Sequence, residues 1–244
     1  MDGVAALAYR SDFSADFSHE CHAFAFQDVI DGICAMPWER LTSSEVLCVA
    51  KAYYFFSIQF RENLDTACEL RPGDEKLQSL REGECDTDNL SPYPGVTAPG
   101  EKVDHDEFMR RLLAMQPVDS DAFIENLGRA YLGRTRGMSP ISRATSIASY
   151  EDGGLSRVFM AMLRAPDWRG AGQEAFRFFL EEHIRFDTED EGGHGSLSRH
   201  LPVSDNILPL WTAFAELLTG AVPRLAHSSF AALEAQHAGV YQAA

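Results

Sequence analysis

The sequence predicts an all-α protein, a single domain folded as a bundle of seven or eight helices. Three observations lead there. Nearly every apolar run repeats at three- and four-residue steps, the signature of one buried helix face. Sustained alternation of apolar and polar residues is missing, as is any Asn-Gly hairpin turn. No Pro/Gly/Ser-rich linker or internal repeat divides the 244 residues, and 45% of them are hydrophobic, enough for a full core without disulfide staples. Residues 19–240 are assigned to the domain. Residues 1–18 read as an N-terminal arm, with acids where a secretory signal would carry basic residues.

The elements follow in order. The stretch from Ser43 to Leu70 begins with serine caps and repeats Val46, Val49, Ala50, Tyr53, Tyr54, Phe56 and Phe60 at helical steps, until Arg71-Pro72-Gly73-Asp74 stops it. Residues 82–104 are rich in Gly, Pro and Asp and read as a long ordered loop or partial lid. Helices resume at His105 and again near Asp119. A further one covers about 143–164, with an interruption expected at Gly153–Gly154. Residues 171–190 form a strong helix ending at Gly192–Gly193, and the segments Asp205–Gly220 and Val222–His237 supply the last two.

Charge and cysteine content exclude several functions. The net charge is −16, which repels nucleic-acid phosphates and anionic membranes. No run approaches the roughly 20 apolar residues of a membrane span. The five cysteines include no CxxC pair, so reduced thiols in a cytoplasmic protein are expected rather than disulfides or a zinc–thiolate site. The acidic surface fits a monomer or a homodimer.

The chemistry-bearing residues sit on the buried faces. Phe176, Phe179, Leu180, His183 and Asp187 share one helix stripe, so an aromatic face runs into an imidazole and a carboxylate one turn apart. That spacing holds iron or manganese, and it also describes a His–Asp pair at a helix end. Glu151 occupies an apolar position in the stripe Ile147, Leu155, Val158, Phe159 and Met162; the alternative is that it ends one helix before a turn. Glu84 continues the inward face of Leu77 and Leu80, whereas Glu82 does not. His105 follows the Gly/Pro loop. His194, after two glycines, can return toward the end of its helix, or lie in a surface loop. Together these are three carboxylates and three histidines from different helices.

In that pattern the sequence resembles the heme-oxygenase-like diiron oxidases and oxygenases, whose motif runs Glu, His, Glu, then His-x3-Asp and a nearby His. The corresponding positions are Glu84, His105, Glu151, His183, Asp187 and His194, within a span of roughly residues 20 to 235. Two departures stand out. Asp190 occupies the place where the last His usually falls, and is the fallback for His194. The gap between Glu84 and His105 is long, which leaves Glu82 or Glu107 as substitutes. Glu62 is the candidate for an extra carboxylate ligand found in some members.

The resemblance implies a heme-oxygenase-like fold and two Fe(II) ions with O2 as co-substrate. It also implies oxidation of an amino acid or derived amine in specialised metabolism, by N-oxygenation, carbon–carbon cleavage, desaturation or nitrile or ring formation. The polar loop at 85–104 and the pair Arg110–Arg111 favour a small zwitterionic substrate. The alternatives are a metal-free enzyme of the same fold, thiaminase-like or a cofactor-free oxidase, and a non-catalytic helical binding protein.

Overall fold

The computed structural model describes residues 25–187 and 194–226; the N-terminal arm, Asp190 and most of the expected last helix lie outside them. Among the described residues the chain is all-helical, with ten α-helices and no strand beyond the isolated bridges Thr87–Val103 and Tyr93–Thr97. The helices are α1 (Ala25–Cys34), α2 (Ser43–Leu70), α3 (Glu75–Glu84), α4 (His105–Leu113) and α5 (Asp121–Arg136), followed by α6 (Pro140–Glu151), α7 (Gly154–Met162), α8 (Ala171–Asp187), α9 (His194–Ser198) and α10 (Leu208–Ala221). The excess over seven or eight comes from α1, the five-residue α9 and the division of 140–162 into two helices. None of the described helices is long and apolar enough to cross a membrane.

The 28-residue α2 is the axis of the bundle. It packs against α3, α4, α5, α6, α8 and α10. Its start is fixed by Thr42, one residue before the expected serine caps. The Thr42 hydroxyl accepts from the Glu45 backbone N–H, and the Glu45 carboxylate accepts from that of Thr42. Tyr53 and Phe56 of α2 meet Phe159, Phe176, Phe179 and Phe214 in one aromatic core, with ring centroids 4.3–6.4 Å apart. The described cysteines, Cys34, Cys48, Cys68 and Cys85, are all free thiols.

Two local features position the site. Between α6 and α7 the chain turns at Gly153, whose φ of +89° lies in the left-handed region that side chains disfavour. The turn lets Glu151 be the last residue of α6 and still face inward with Leu155 and Phe159. The 85–104 loop is ordered and tied at its base, where the Val103 N–H donates to the Thr87 carbonyl at 2.9 Å. Leu90, Val96 and Val103 anchor it in the core.

The expected helix Val222–His237 does not start at Val222: that residue is non-helical (φ −133°, ψ 88°) and a 3-10 turn follows at Pro223–Leu225, while the part beyond residue 226 lies outside the described residues. Proline disfavours helical backbone in the residue before it and supplies no N–H of its own.

Candidate metal centre

Three helices converge on a buried polar group. Glu84 is the last residue of α3, on the face of Leu77 and Leu80; α3 itself starts at Asp74, whose carboxylate accepts from the Leu77 N–H at 3.2 Å. His105 opens α4. His183 lies on α8 in line with Phe176, Phe179 and Leu180, all buried. The three polar side chains are 5–6% exposed, and one ligand atom from each lies within 4.8 Å of the others.

The distances are tight. Glu84 Oε2 stands 2.6 Å from His105 Nδ1, which stands 3.0 Å from His183 Nε2. His183 Nδ1 lies 2.8 Å from the Phe179 carbonyl oxygen. A carbonyl only accepts, so Nδ1 carries the hydrogen, and in the neutral ring Nε2 keeps its lone pair. That lone pair, the Glu84 carboxylate and His105 Nδ1 converge on one small region. With its hydrogen on Nδ1 a neutral His105 donates to Glu84 or to His183, whereas the other tautomer turns all three ligand atoms toward a common point where a metal ion fits. His105 Nε2, on the far side of the ring, is buried with no hydrogen-bond partner among the described residues.

Aromatic rings hold the imidazoles. Phe179 lies against His183 with centroids 4.0 Å apart, Phe159 meets it edge-on at 5.8 Å, and Phe179 meets His105 edge-on at 5.9 Å. These contacts restrict both rings and keep bulk water away. The enclosed space is about 20 Å³, and its walls include Glu84, His105, His183 and Glu151. That is room for about one water-sized occupant.

The donor set fits a metal ion. Two imidazoles and a carboxylate on neighbouring positions form the ligand type that binds non-heme Fe(II) and leaves coordination positions open. Metal bonds of about 2.1 Å put adjacent ligand atoms about 3 Å apart, close to the spacing here, with the Glu84–His105 gap widening by a few tenths of an ångström.

The sequence-derived candidates are distributed as follows. Glu84, His105 and His183 form the group, and Glu151, 4% exposed, lines the same cavity. Both readings of Glu151 hold together, since it ends a helix and faces inward. Asp187 closes α8 and His194 opens α9, but the side chains of both lie outside the described residues, as does Asp190. Gly195, next to His194, packs closely on the Glu151 backbone; a Cβ there would stand 2.9 Å from the Glu151 carbonyl oxygen.

Three substitute ligands are placed elsewhere. Glu82 is exposed on the outer face of α3. Glu62 takes both arms of Arg136, at 2.5 and 2.9 Å. Glu107 is held by Arg110 and Arg111, which keep its carboxyl down at about 2. The same ion pairs use Arg110 and Arg111, and neither lines the cavity.

The cavity also contains residues that sequence reasoning missed: Tyr53, Ser57, Phe60 and Arg61 of α2, with Cys85 and Asp106. Arg61 pairs with Asp106, its Nε and Nη2 both reaching Oδ2, at 3.0 and 2.9 Å. Burial pushes the Asp106 carboxyl up, against the pull of Arg61. Burial also pushes the Cys85 thiol up to about 12, with Asp104 and Glu84 adding to the effect. The available signal for Ser57 was its helical spacing within the apolar stripe of Tyr53 and Phe60; Arg61, beside Glu62, carried none.

The chain matches no protein-family model, no curated protein and no solved structure.

Proposed function

We propose that this protein is a non-heme iron oxidase or oxygenase of the heme-oxygenase-like diiron type, acting with O2 on a small amino acid or amine-derived molecule. The observation that carries the reading is the buried convergence of Glu84, His105 and His183, three lone-pair donors aimed at one region of the core. A buried carboxylate beside two imidazoles is a donor set that suits a divalent ion, whose charge the carboxylate helps to balance. Glu151 on the same cavity offers a further carboxylate, and Asp187 and His194 complete the resemblance at the level of sequence. Iron(II), when bound, supplies electrons for the reduction of O2.

The chain's own residues do the rest. The Phe179 carbonyl fixes the His183 tautomer so that Nε2 is the coordinating atom. Phe159 and Phe179 exclude water from the imidazoles. The cavity is too small for an organic substrate alongside an ion, so substrate approaches from the side where Arg61, Cys85 and Asp106 are part-exposed.

A second reading has its own support. Among the described residues the grouped ligands are two histidines and one carboxylate, the set of a mononuclear Fe(II) oxygenase. The thiaminase-like alternative needs an activated thiolate, and the Cys85 thiol is pushed the other way. Anaerobic Fe(II) titration with metal analysis, followed by O2 uptake, separates these readings. Two irons per chain support the diiron centre and one supports the mononuclear site. No iron binding, with no O2 consumption, removes both.

A further inference from the structure

We infer that Arg61 is the substrate-anchoring residue of this cavity and that it takes a carboxylate group. The inference rests on the reading of the cavity as the reaction site. Arg61 is the one Lys or Arg among the cavity-lining residues, and its side chain is 36% exposed, so it reaches both the enclosed space and solvent.

The argument is the geometry of its fork. A guanidinium has two edges that can each take a carboxylate through paired N–H groups: the Nε/Nη2 edge and the Nη1/Nη2 edge. Asp106 occupies the first, since both Nε and Nη2 reach its Oδ2. The second edge has no acceptor among the hydrogen bonds and ion pairs of the described residues. Arg61 thus lines the cavity with one guanidinium edge held by Asp106 and the other without an acceptor among the described residues. Asp106 follows His105 directly in α4, so the pair that orients the guanidinium is built on the same helix turn as a ligand of the metal group. Arg61 therefore stands at a fixed place relative to that group.

The surroundings restrict what can bind. Asp104 and Asp106 both act on the Arg61 charge. They cancel most of the long-range attraction for anions, so recognition depends on a planar carboxylate matching the free edge rather than on net charge. Inorganic anions without that fork-shaped match are expected to bind poorly.

The test uses straight-chain carboxylates from acetate to hexanoate and the matching amides, observed by saturation-transfer NMR with the protein as purified and again after metal removal by chelation. In the wild type at least one acid gives a signal that its amide lacks, in both states. Arg61→Met, which keeps most of the stem, lowers acid binding at least tenfold, and Arg61→Lys, a point charge without the fork, gives an intermediate loss. Circular dichroism of both variants matches the wild type, and their Fe(II) stoichiometry is unchanged. Equal binding of acids and amides, wild-type acid binding in Arg61→Met, or no acid binding by the wild type up to the solubility limit of the probes overturns the inference. Loss of the metal reading is recognised separately, because His183→Ala would then bind as much Fe(II) as the wild type whatever the carboxylates do.

Discussion

Two buried polar clusters lie around the second half of α2, and they differ in what they need. In one, side-chain donors from several helices meet side-chain acceptors, with only Gln59 Nε2 among these groups left without a partner among the described residues. Tyr131 donates to Gln59 Oε1 at 2.7 Å, Asn63 Nδ2 donates to Ser146 Oγ at 3.0 Å, and Arg143 Nε donates to Asn63 Oδ1 at 2.9 Å. Trp211 Nε1 donates to Ser149 Oγ at 3.0 Å. That network pins α2 to α5 and α6, and α6 to α10, without help from a ligand. In the other, Glu84, His105 and His183 bring three ligand-type atoms within 4.8 Å of one another beside a small cavity. Burial of polar residues alone does not mark a site. Convergence of imidazoles and a carboxylate on one cavity is what sets this cluster apart.

The largest expected effect tests that convergence. His183→Ala and Glu84→Gln each remove a ligand atom, and each is expected to weaken Fe(II) binding by more than about 100-fold, beyond the losses that follow from disturbing ligand supports. Competition against a chromophoric chelator measures this, with helical circular dichroism retained. Wild-type affinity in both variants would make the cluster another structural network.

The second prediction takes the network as the control. Asn63→Ala leaves Ser146 and the Arg143 Nε without their partner and is expected to cost about 1–3 kcal/mol of stability. Its metal-linked stabilisation is expected to equal that of the wild type, about 2.7 kcal/mol when free metal is 100 times its dissociation constant. His183→Ala is expected to show no metal-linked gain. Chemical denaturation with and without metal reads both quantities.

The third prediction concerns acid. A proton and a metal compete for the same lone pairs on His105, His183 and Glu84, so metal affinity falls as pH falls. In the Asn63 variant the curve keeps the wild-type shape. A pH-independent affinity would place the metal on other residues.

These clusters were not equally legible in the sequence. The inward stripes through Leu77, Leu80 and Glu84, and through Phe176, Phe179 and His183, follow from helical periodicity, and the structure buries them as read. Glu151 was legible for the same reason, because a charged residue in an apolar stripe is visible without knowing what it meets. Arg61 was not. It sits beside Glu62 on α2, and locally both look like solvated helix residues. Glu62 turns out to bind Arg136, 74 positions away, and Arg61 turns out to bind Asp106, 45 positions away. Pairings at that separation are set by how α2 packs against α4 and α5, which no local pattern encodes. The end of α10 was legible, within one residue of Gly220; the 3-10 turn at the start of the next segment was not, because the apolar pattern there says nothing of the constraint that Pro223 puts on Val222.

The smallest expected effect separates Glu107 from Glu84, two acids on either side of His105. Glu84 faces His105 in the core, whereas Glu107 lies on the outer face of α4 between Arg110 and Arg111. The Arg110 hydrogen bond, joined by that of Arg111 and opposed in part by burial, depresses the Glu107 carboxyl from the ordinary 4.5 to about 2. A carboxyl depressed on folding stabilises the protein above its unfolded value, and the contribution fades as pH drops through the folded one. Glu107→Gln is therefore expected to lose a little stability at neutral pH, and the difference from wild type is expected to shrink between pH 4.5 and 2. Glu107 is a third exposed and Arg110 more than half, so the pairs are solvent-screened and the neutral-pH loss is about 0.5 kcal/mol. Metal affinity stays at the wild-type value throughout, because Glu107 does not line the cavity. A Glu107→Gln variant that loses metal as Glu84→Gln does would show that the acid serving the histidines had been assigned to the wrong side of His105.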